Sequence, residues 1–230
     1  MAARKAETFS FEVGSHGKTS ARVYRAKAPR GVTLVLAHGA GAPQTHPFMV
    51  DMATRLAARG LDVVTFDFLY AARGKKLPDR TDLLEACWRA AIASVRARSG
   101  LASAPLFLGG KSMGGRIASH VAAAGDGLEV AGLVFLGYPL HPPAKPAARR
   151  DAHLPAVPFP MLFVQGARDP FGDAAEMKRL VKKLPRARLH VVPEGDHSLA
   201  IPKRAGAEEQ ERVLTAAADA IAAFTVAGAP

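Results

Sequence analysis

Short, mostly apolar runs alternate along the chain with longer segments whose apolar positions return every third or fourth residue. The runs at 32–37, 61–66, 105–109, 130–136, 161–164 and 189–192 have strand length and little polar face, which predicts strands buried on both sides in a parallel sheet. Helical periodicity over 47–59, 79–98, 113–124, 173–184 and 208–224 supplies layers for both faces of that sheet. Ahead of them, residues 8–13 and 19–24 alternate apolar and polar, the pattern of a half-buried antiparallel hairpin at the sheet edge, joined through Gly14-Ser15-His16-Gly17. No internal repeat or low-complexity linker interrupts the order. The expected fold class is α/β, a mostly parallel, doubly wound sheet with helices on both faces, folded as one domain over residues 1–230.

Where the fifth strand gives way to the third helix, the chain reads Gly110-Lys111-Ser112-Met113-Gly114, a Gly-x-Ser-x-Gly pattern in the setting of a nucleophile elbow. A serine on such a turn has its hydroxyl thrust out over the end of the sheet, and the glycines are needed because a Cβ would strike neighbouring backbone. The pattern alone is equally a glycine turn, and it acquires meaning only through partners. An acid and then a histidine follow in chain order. Asp169 stands in the loop after the strand at 161–164, and His197 in the loop after the strand at 189–192, both at the carboxyl edge where ligand-facing groups of an open sheet belong. An imidazole can take the serine proton and return it to the leaving group, and a carboxylate can hold the imidazole in the required tautomer. Ser112, His197 and Asp169 are the candidates for nucleophile, base and orienting acid. Asp173 and Asp196 are rivals for the acid; the first is better placed to cap a helix, and the second adjoins His197 with a diverging side chain.

An oxyanion hole would be built from the N–H of Met113, the residue after the nucleophile, and an N–H in the small-residue loop His38-Gly39-Ala40-Gly41, placed at Ala40. His38, directly after a buried strand, is expected to orient loops by hydrogen bonding. The other histidines, His16, His46, His120, His141, His153 and His190, show no metal-ligand spacing, so neither a metal nor another cofactor is expected.

Gly110-Lys111-Ser112 also matches the end of a phosphate-binding P-loop. That pattern requires glycine where Pro105 stands, and the residues that would cradle the phosphate, Leu106, Phe107 and Leu108, read as buried strand. Gly17-Lys18-Thr19 fails in the same way at Glu12.

The formal net charge is +11 and the sequence pI about 10.2, but Lys and Arg are spread over helices and loops with few interleaved aromatics, which argues against nucleic acid and membrane surfaces as partners. The clusters at 73–76 and 145–150 fall in loops at strand ends, where an anionic small-molecule substrate is one reading and solvated surface the other. Residues 1–7 lack an apolar signal core, which sets a cytoplasmic location as the expectation. Cys87, the single cysteine, sits between Ala86 and Trp88 and is read as packing. The interval from Leu136 to Phe159 is short and proline-rich, too small for a lid, so the site should be open. Tyr138 and His141 are candidates for its entrance, with a rigid connection as the competing account.

Taken together, His38-Gly39-Ala40-Gly41, the 68–80 loop with Arg73-Gly74 and Pro78-Asp79-Arg80, the elbow with Gly115, Gly137-Tyr138-Pro139-Leu140-His141-Pro142-Pro143, Gln165-Gly166-Ala167-Arg168-Asp169-Pro170-Phe171-Gly172 and Gly195-Asp196-His197-Ser198 resemble one family. These motifs are similar to those of the small lidless α/β-hydrolases that include testis-expressed protein 30 and the third subunit of the NSL histone-acetyltransferase complex, with bacterial members. The loop here has Phe68-Leu69-Tyr70 where relatives usually have Phe-Pro-Tyr. The resemblance implies the α/β-hydrolase fold and the same Ser-Asp-His set. The expected function is a serine hydrolase, a carboxylesterase acting on small or soluble esters, with amidase, thioesterase and peptidase activities sharing the same site chemistry; the alternative is a non-catalytic scaffold that keeps the fold.

Overall fold

The computed structural model describes residues 6–102 and 104–227; residues 1–5, read above for targeting, lie outside that range. Its elements are β1 (Glu7–Glu12), β2 (Lys18–Tyr24), β3 (Val32–Ala37), α1 (Pro47–Ala58), β4 (Leu61–Phe66), α2 (Leu69–Ala72), α3 (Thr81–Arg96), β5 (Leu106–Lys111), α4 (Met113–Ala123), β6 (Gly132–Leu136), β7 (Met161–Gly166), α5 (Ala174–Val181), β8 (Ala187–Val192) and α6 (Gly206–Ala227). The strands form one sheet in the order β1-β2-β4-β3-β5-β6-β7-β8. The hairpin β1-β2 pairs antiparallel, with Phe11 opposite Thr19, and β2 joins β4 antiparallel. Every pairing from β4 to β8 is parallel.

The apolar runs become central strands because both of their faces find helices. In β3, Val35 and Ala37 pack into the cluster that also holds Trp88 of α3, Ile117 of α4 and Met177 of α5. Leu34 and Leu36 point the other way, toward Met52 of α1 and Ile221 of α6. Alternate side chains along a strand face opposite sides, so a strand apolar throughout serves two layers at once. Cys87 is buried in the first cluster, where loss of solvent pushes its thiol up to about 11.

The structure departs from the sequence expectation at element ends. The helix expected at 79–98 begins at Thr81, because Asp79 follows Pro78 and its carboxylate accepts the Tyr70 N–H at 3.0 Å instead of joining the helix. That loop contains α2, a single turn that periodicity is too short to register. Strand β5 runs past Gly109 and Gly110 to Lys111, which carries the elbow out to the sheet edge. Between β6 and β7 the chain makes loops and one 3-10 turn, Leu154–Ala156, rather than a helical cap. Among the described residues no helix is long and apolar enough to cross a membrane.

Candidate active site

Ser112 sits between β5 and α4 with φ 50 and ψ −116, a left-handed conformation that costs a non-glycine residue about 1–3 kcal/mol and persists only when its surroundings enforce it. The surroundings are backbone. A Cβ on Gly114 would lie 2.5 Å from the Ala37 carbonyl oxygen and 2.6 Å from that of His38, so α4 approaches β3 more closely than any side chain permits. Trp88 Nε1 donates to Gly114 O at 3.1 Å and Ser112 N to Leu136 O at 3.0 Å, fixing the turn to α3 and β6.

The loops after β7 and β8 bring Asp169 and His197 to this serine. His197 Nε2 is 2.8 Å from Ser112 Oγ, and His197 Nδ1 is 2.8 Å from Asp169 Oδ2. A carboxylate can only accept, so Nδ1 carries the proton and Nε2 presents a lone pair to the serine hydroxyl. Asp169 is 1% exposed and accepts from Phe171 N and from Gln165 Nε2, each at 2.8 Å. The Phe171 ring lies 4.3 Å from that of His197, shielding one side of the imidazole. The rival acids are occupied elsewhere. Asp173 caps α5 by accepting from Glu176 N at 2.8 Å, in a capping box with the Glu176 side chain. Asp196 folds back onto its own loop, accepting from Ser198 N at 2.7 Å and Ala200 N at 2.9 Å.

Met113 and Ala40 both line the cavity above Ser112. Met113 opens α4, where the first-turn N–H groups have no partner in the helix and the dipole favours negative charge. The loop carrying Ala40 is shaped by His38, which is fully buried. His38 Nε2 accepts from Phe68 N at 3.1 Å, so its Nδ1–H donates to Gly39 O at 2.8 Å. Burial holds this imidazole below its ordinary pKa, consistent with a neutral positioning group.

The cavity encloses about 550 Å³, bounded by the Gly39 loop, Phe48 and Met49 of α1, Pro78 and Asp79, the elbow, and Phe171 with His197. Of the two basic clusters, only Arg150 reaches it; Arg73 turns away to the carbonyl of His16, and Arg149 pairs with Asp151 and Glu176. Tyr138 and His141 do not line it. Tyr138 is buried beneath the loop, its hydroxyl donating to Arg150 O at 2.9 Å, while His141 pairs with Glu176 at 3.0 Å. Among the described residues no group of three His, Cys, Asp or Glu side chains is placed to hold a metal ion.

Sequence reasoning passed over Gln165, Lys111 and Arg116. The signal for Gln165 was a lone amide at the end of an apolar run. The signals for Lys111 and Arg116 were present as residues flanking the nucleophile, but what they touch is decided across the fold.

Over residues 30–226 the sequence matches the family described as Alpha/beta hydrolase domain, and the chain belongs to that family. Its fold is similar to that of a dienelactone hydrolase from Anabaena variabilis, 23% identical with 96% of each chain covered and a TM-score of 0.73. It is also similar to a Xanthomonas campestris protein described as an a/b serine hydrolase without lid, 21% identical over 96% of this chain and 93% of that one, TM-score 0.72. A third is an alpha-beta serine hydrolase homologue from Coxiella burnetii, 20% identical over 93% and 98%, TM-score 0.72. At these identities the likeness is one of fold.

Proposed function

We propose that the protein is a serine carboxylesterase acting on small or soluble esters through an acyl-enzyme, a bacterial-type member of the lidless group resembled by its motifs. The observation that carries this reading is the unbroken chain of 2.8 Å contacts from Ser112 Oγ through His197 to Asp169, set under a strained elbow.

Ser112 Oγ attacks the ester carbonyl carbon while His197 Nε2 takes its proton, and the imidazolium formed is held by the Asp169 carboxylate. The carbonyl electron pair moves onto oxygen, which the Met113 and Ala40 N–H groups receive. Collapse re-forms the carbonyl and breaks the bond to the alcohol oxygen, which leaves with the proton from His197. Water then enters by the same route, giving its proton to His197 and its oxygen to the acyl carbon, and Ser112 departs as the free hydroxyl. The open cavity, with loops and one 3-10 turn in place of a helical cap between β6 and β7, favours soluble esters over long-chain lipid.

The test is labelling by a fluorophosphonate probe with hydrolysis of short p-nitrophenyl esters, in wild type and Ser112→Ala. Labelling and turnover that both vanish in the variant support the reading. A folded wild type that neither labels nor turns over returns the chain to the scaffold alternative.

A further inference from the structure

Among the described residues, two guanidinium groups on the wall of the Ser112 cavity have no carboxylate partner of their own. Arg116, in the first turn of α4, follows Ser112 by four residues, its backbone N–H donating to Ser112 O at 3.1 Å, and both residues line the cavity. Its Nε is buried without a hydrogen-bond partner among the described residues. Its Nη1 donates to His120 Nε2 at 3.2 Å, which leaves the proton of that imidazole on Nδ1, turned to Glu85 at 3.3 Å. Burial first, and Arg116 next, lower the pKa of His120, so the imidazole is a neutral acceptor and Glu85 lies on its far side from the guanidinium.

Arg150 reaches the same cavity from the loop after β6. Its side chain forms no ion pair among the described residues, because its neighbour Arg149 takes both nearby carboxylates, Asp151 at 2.6 Å and Glu176 at 3.1 Å. Arg150 and Arg116 are close enough to repel, and that repulsion adds to burial in lowering the pKa of Arg116. Lys111 is a third cation on the wall. Asp79 is the lining carboxylate, and its Oδ2 is engaged by the Tyr70 N–H at 3.0 Å. Two like charges on the wall of one cavity without carboxylate partners among the described residues are costly, and an entering oxyanion relieves that repulsion.

We propose that Arg116 and Arg150 form a carboxylate-binding subsite, and that the preferred substrates are esters whose acyl chain ends in a carboxylate, the half-esters of short dicarboxylic acids. The inference rests on the serine-hydrolase reading of the same cavity. Planar guanidinium forks match the two oxygens of a carboxylate. Ser112 and Arg116 line one cavity and are four residues apart in the chain, so a short acyl chain of roughly four or five carbons is the length to bridge them.

The test compares kcat/KM for mono-p-nitrophenyl glutarate and p-nitrophenyl valerate in wild type, Arg116→Gln and Arg150→Gln. The wild type prefers the anionic ester by about 10- to 100-fold, the range of a charge-assisted hydrogen-bonded contact, and each variant brings the ratio toward one. A wild-type ratio at or below one, or a preference that both variants retain, overturns the subsite. Arg150, half-buried at the end of an exposed loop, keeps the test valid should Arg116→Gln fail to fold. In parallel, calorimetry on Ser112→Ala compares glutarate with its neutral diamide, a readout independent of turnover. Tighter binding of glutarate that is lost on adding Arg150→Gln upholds the subsite even if no ester is hydrolysed, in which case only the hydrolase reading falls. Equal binding of the two, alongside equal turnover of the two esters, removes the subsite and leaves the hydrolase reading standing.

Discussion

Lys111 Nζ donates to the backbone carbonyl oxygen of His197 at 2.7 Å. The residue before the candidate nucleophile thus grips the loop that carries the candidate base, across a sheet in which β6 and β7 separate their parent strands. The contact passes beside Gly137, where φ is +66 and a Cβ would lie 2.6 Å from His197 O and 3.2 Å from Lys111 Nζ. Three strand-end loops are therefore tied at one point. The ammonium is poorly solvated there, and burial pushes it down to about 8 against the opposing pull of Asp169 and Asp196.

Lys111→Met removes that tie while keeping the aliphatic volume. Small misplacements of a reacting group cost up to about 100-fold in rate, so kcat toward a short ester falls about 10- to 100-fold with a smaller change in KM. Steady-state kinetics checks it; a variant with wild-type kcat shows that the His197 loop is held without Lys111.

The same substitution changes how stability depends on pH. Lys111 has a folded value of about 8 against an ordinary 10.5, so between those limits the unfolded chain holds more protons than the folded one. Stability therefore rises with pH across this window as the penalty on the buried charge is relieved. Relative to Lys111→Met, the wild type gains up to about 3 kcal/mol by the upper limit and shows no such trend below about pH 8. Urea midpoints of the two proteins at a series of pH values check the divergence.

Gln165 is the hub beneath Asp169. Its Oε1 accepts from Tyr138 N at 2.8 Å, and its Nε2 lies 2.8 Å from Asp169 Oδ2 and 2.9 Å from Gly172 O. Gln165→Met orphans the buried Tyr138 N–H and strips a donor from the carboxylate, which costs about 2–4 kcal/mol of stability. A lowered urea midpoint with reduced kcat in the remaining folded protein is the expected result. Gln165→Glu fails as a rescue, because its second oxygen faces the Asp169 carboxylate.

The core strands were readable because parallel strands buried on both faces, such as β3, β6 and β7, leave a mostly apolar run that ends in a loop at one sheet edge, whereas β8, the edge strand ahead of the candidate base His197, is only half-buried and left a weaker signal. Setting aside Asp173 and Asp196 was possible for a local reason, since helix capping and an Asx-type turn are set by near neighbours in sequence. Arg116 and Arg150 were not legible as a pair, because the loop after β6 has no periodicity and folds over α4 by tertiary packing alone. The Arg73 cluster looked equivalent in sequence to the Arg150 cluster, and only the path of the loop sends Arg73 to the His16 carbonyl instead of the cavity. Helix α2 escaped for want of length.

Behind the elbow, His153 Nε2 is hydrogen-bonded to Ser119 Oγ at 2.7 Å, and its ring lies 4.2 Å from that of His120. Burial, then the neighbouring His120 and Arg116, bring His153 down from 6.5 to about 4. Between these values the unfolded chain binds the proton and the folded chain does not, so stability is fully present above about pH 6.5 and declines as pH falls toward 4, by up to about 3 kcal/mol. His120, also lowered, acts in the same direction. His153→Gln keeps a hydrogen-bonding group near Ser119 but has nothing to protonate, so its unfolding midpoint should fall less steeply between about pH 6.5 and 4 than that of wild type. Parallel slopes for the two proteins would show that acid acts through other groups. Because Arg116 and Ser119 share α4 with the residue after the elbow, acid loosening at His153 reaches Ser112 through the helix, and hydrolysis should decline in the same pH window in wild type more than in His153→Gln.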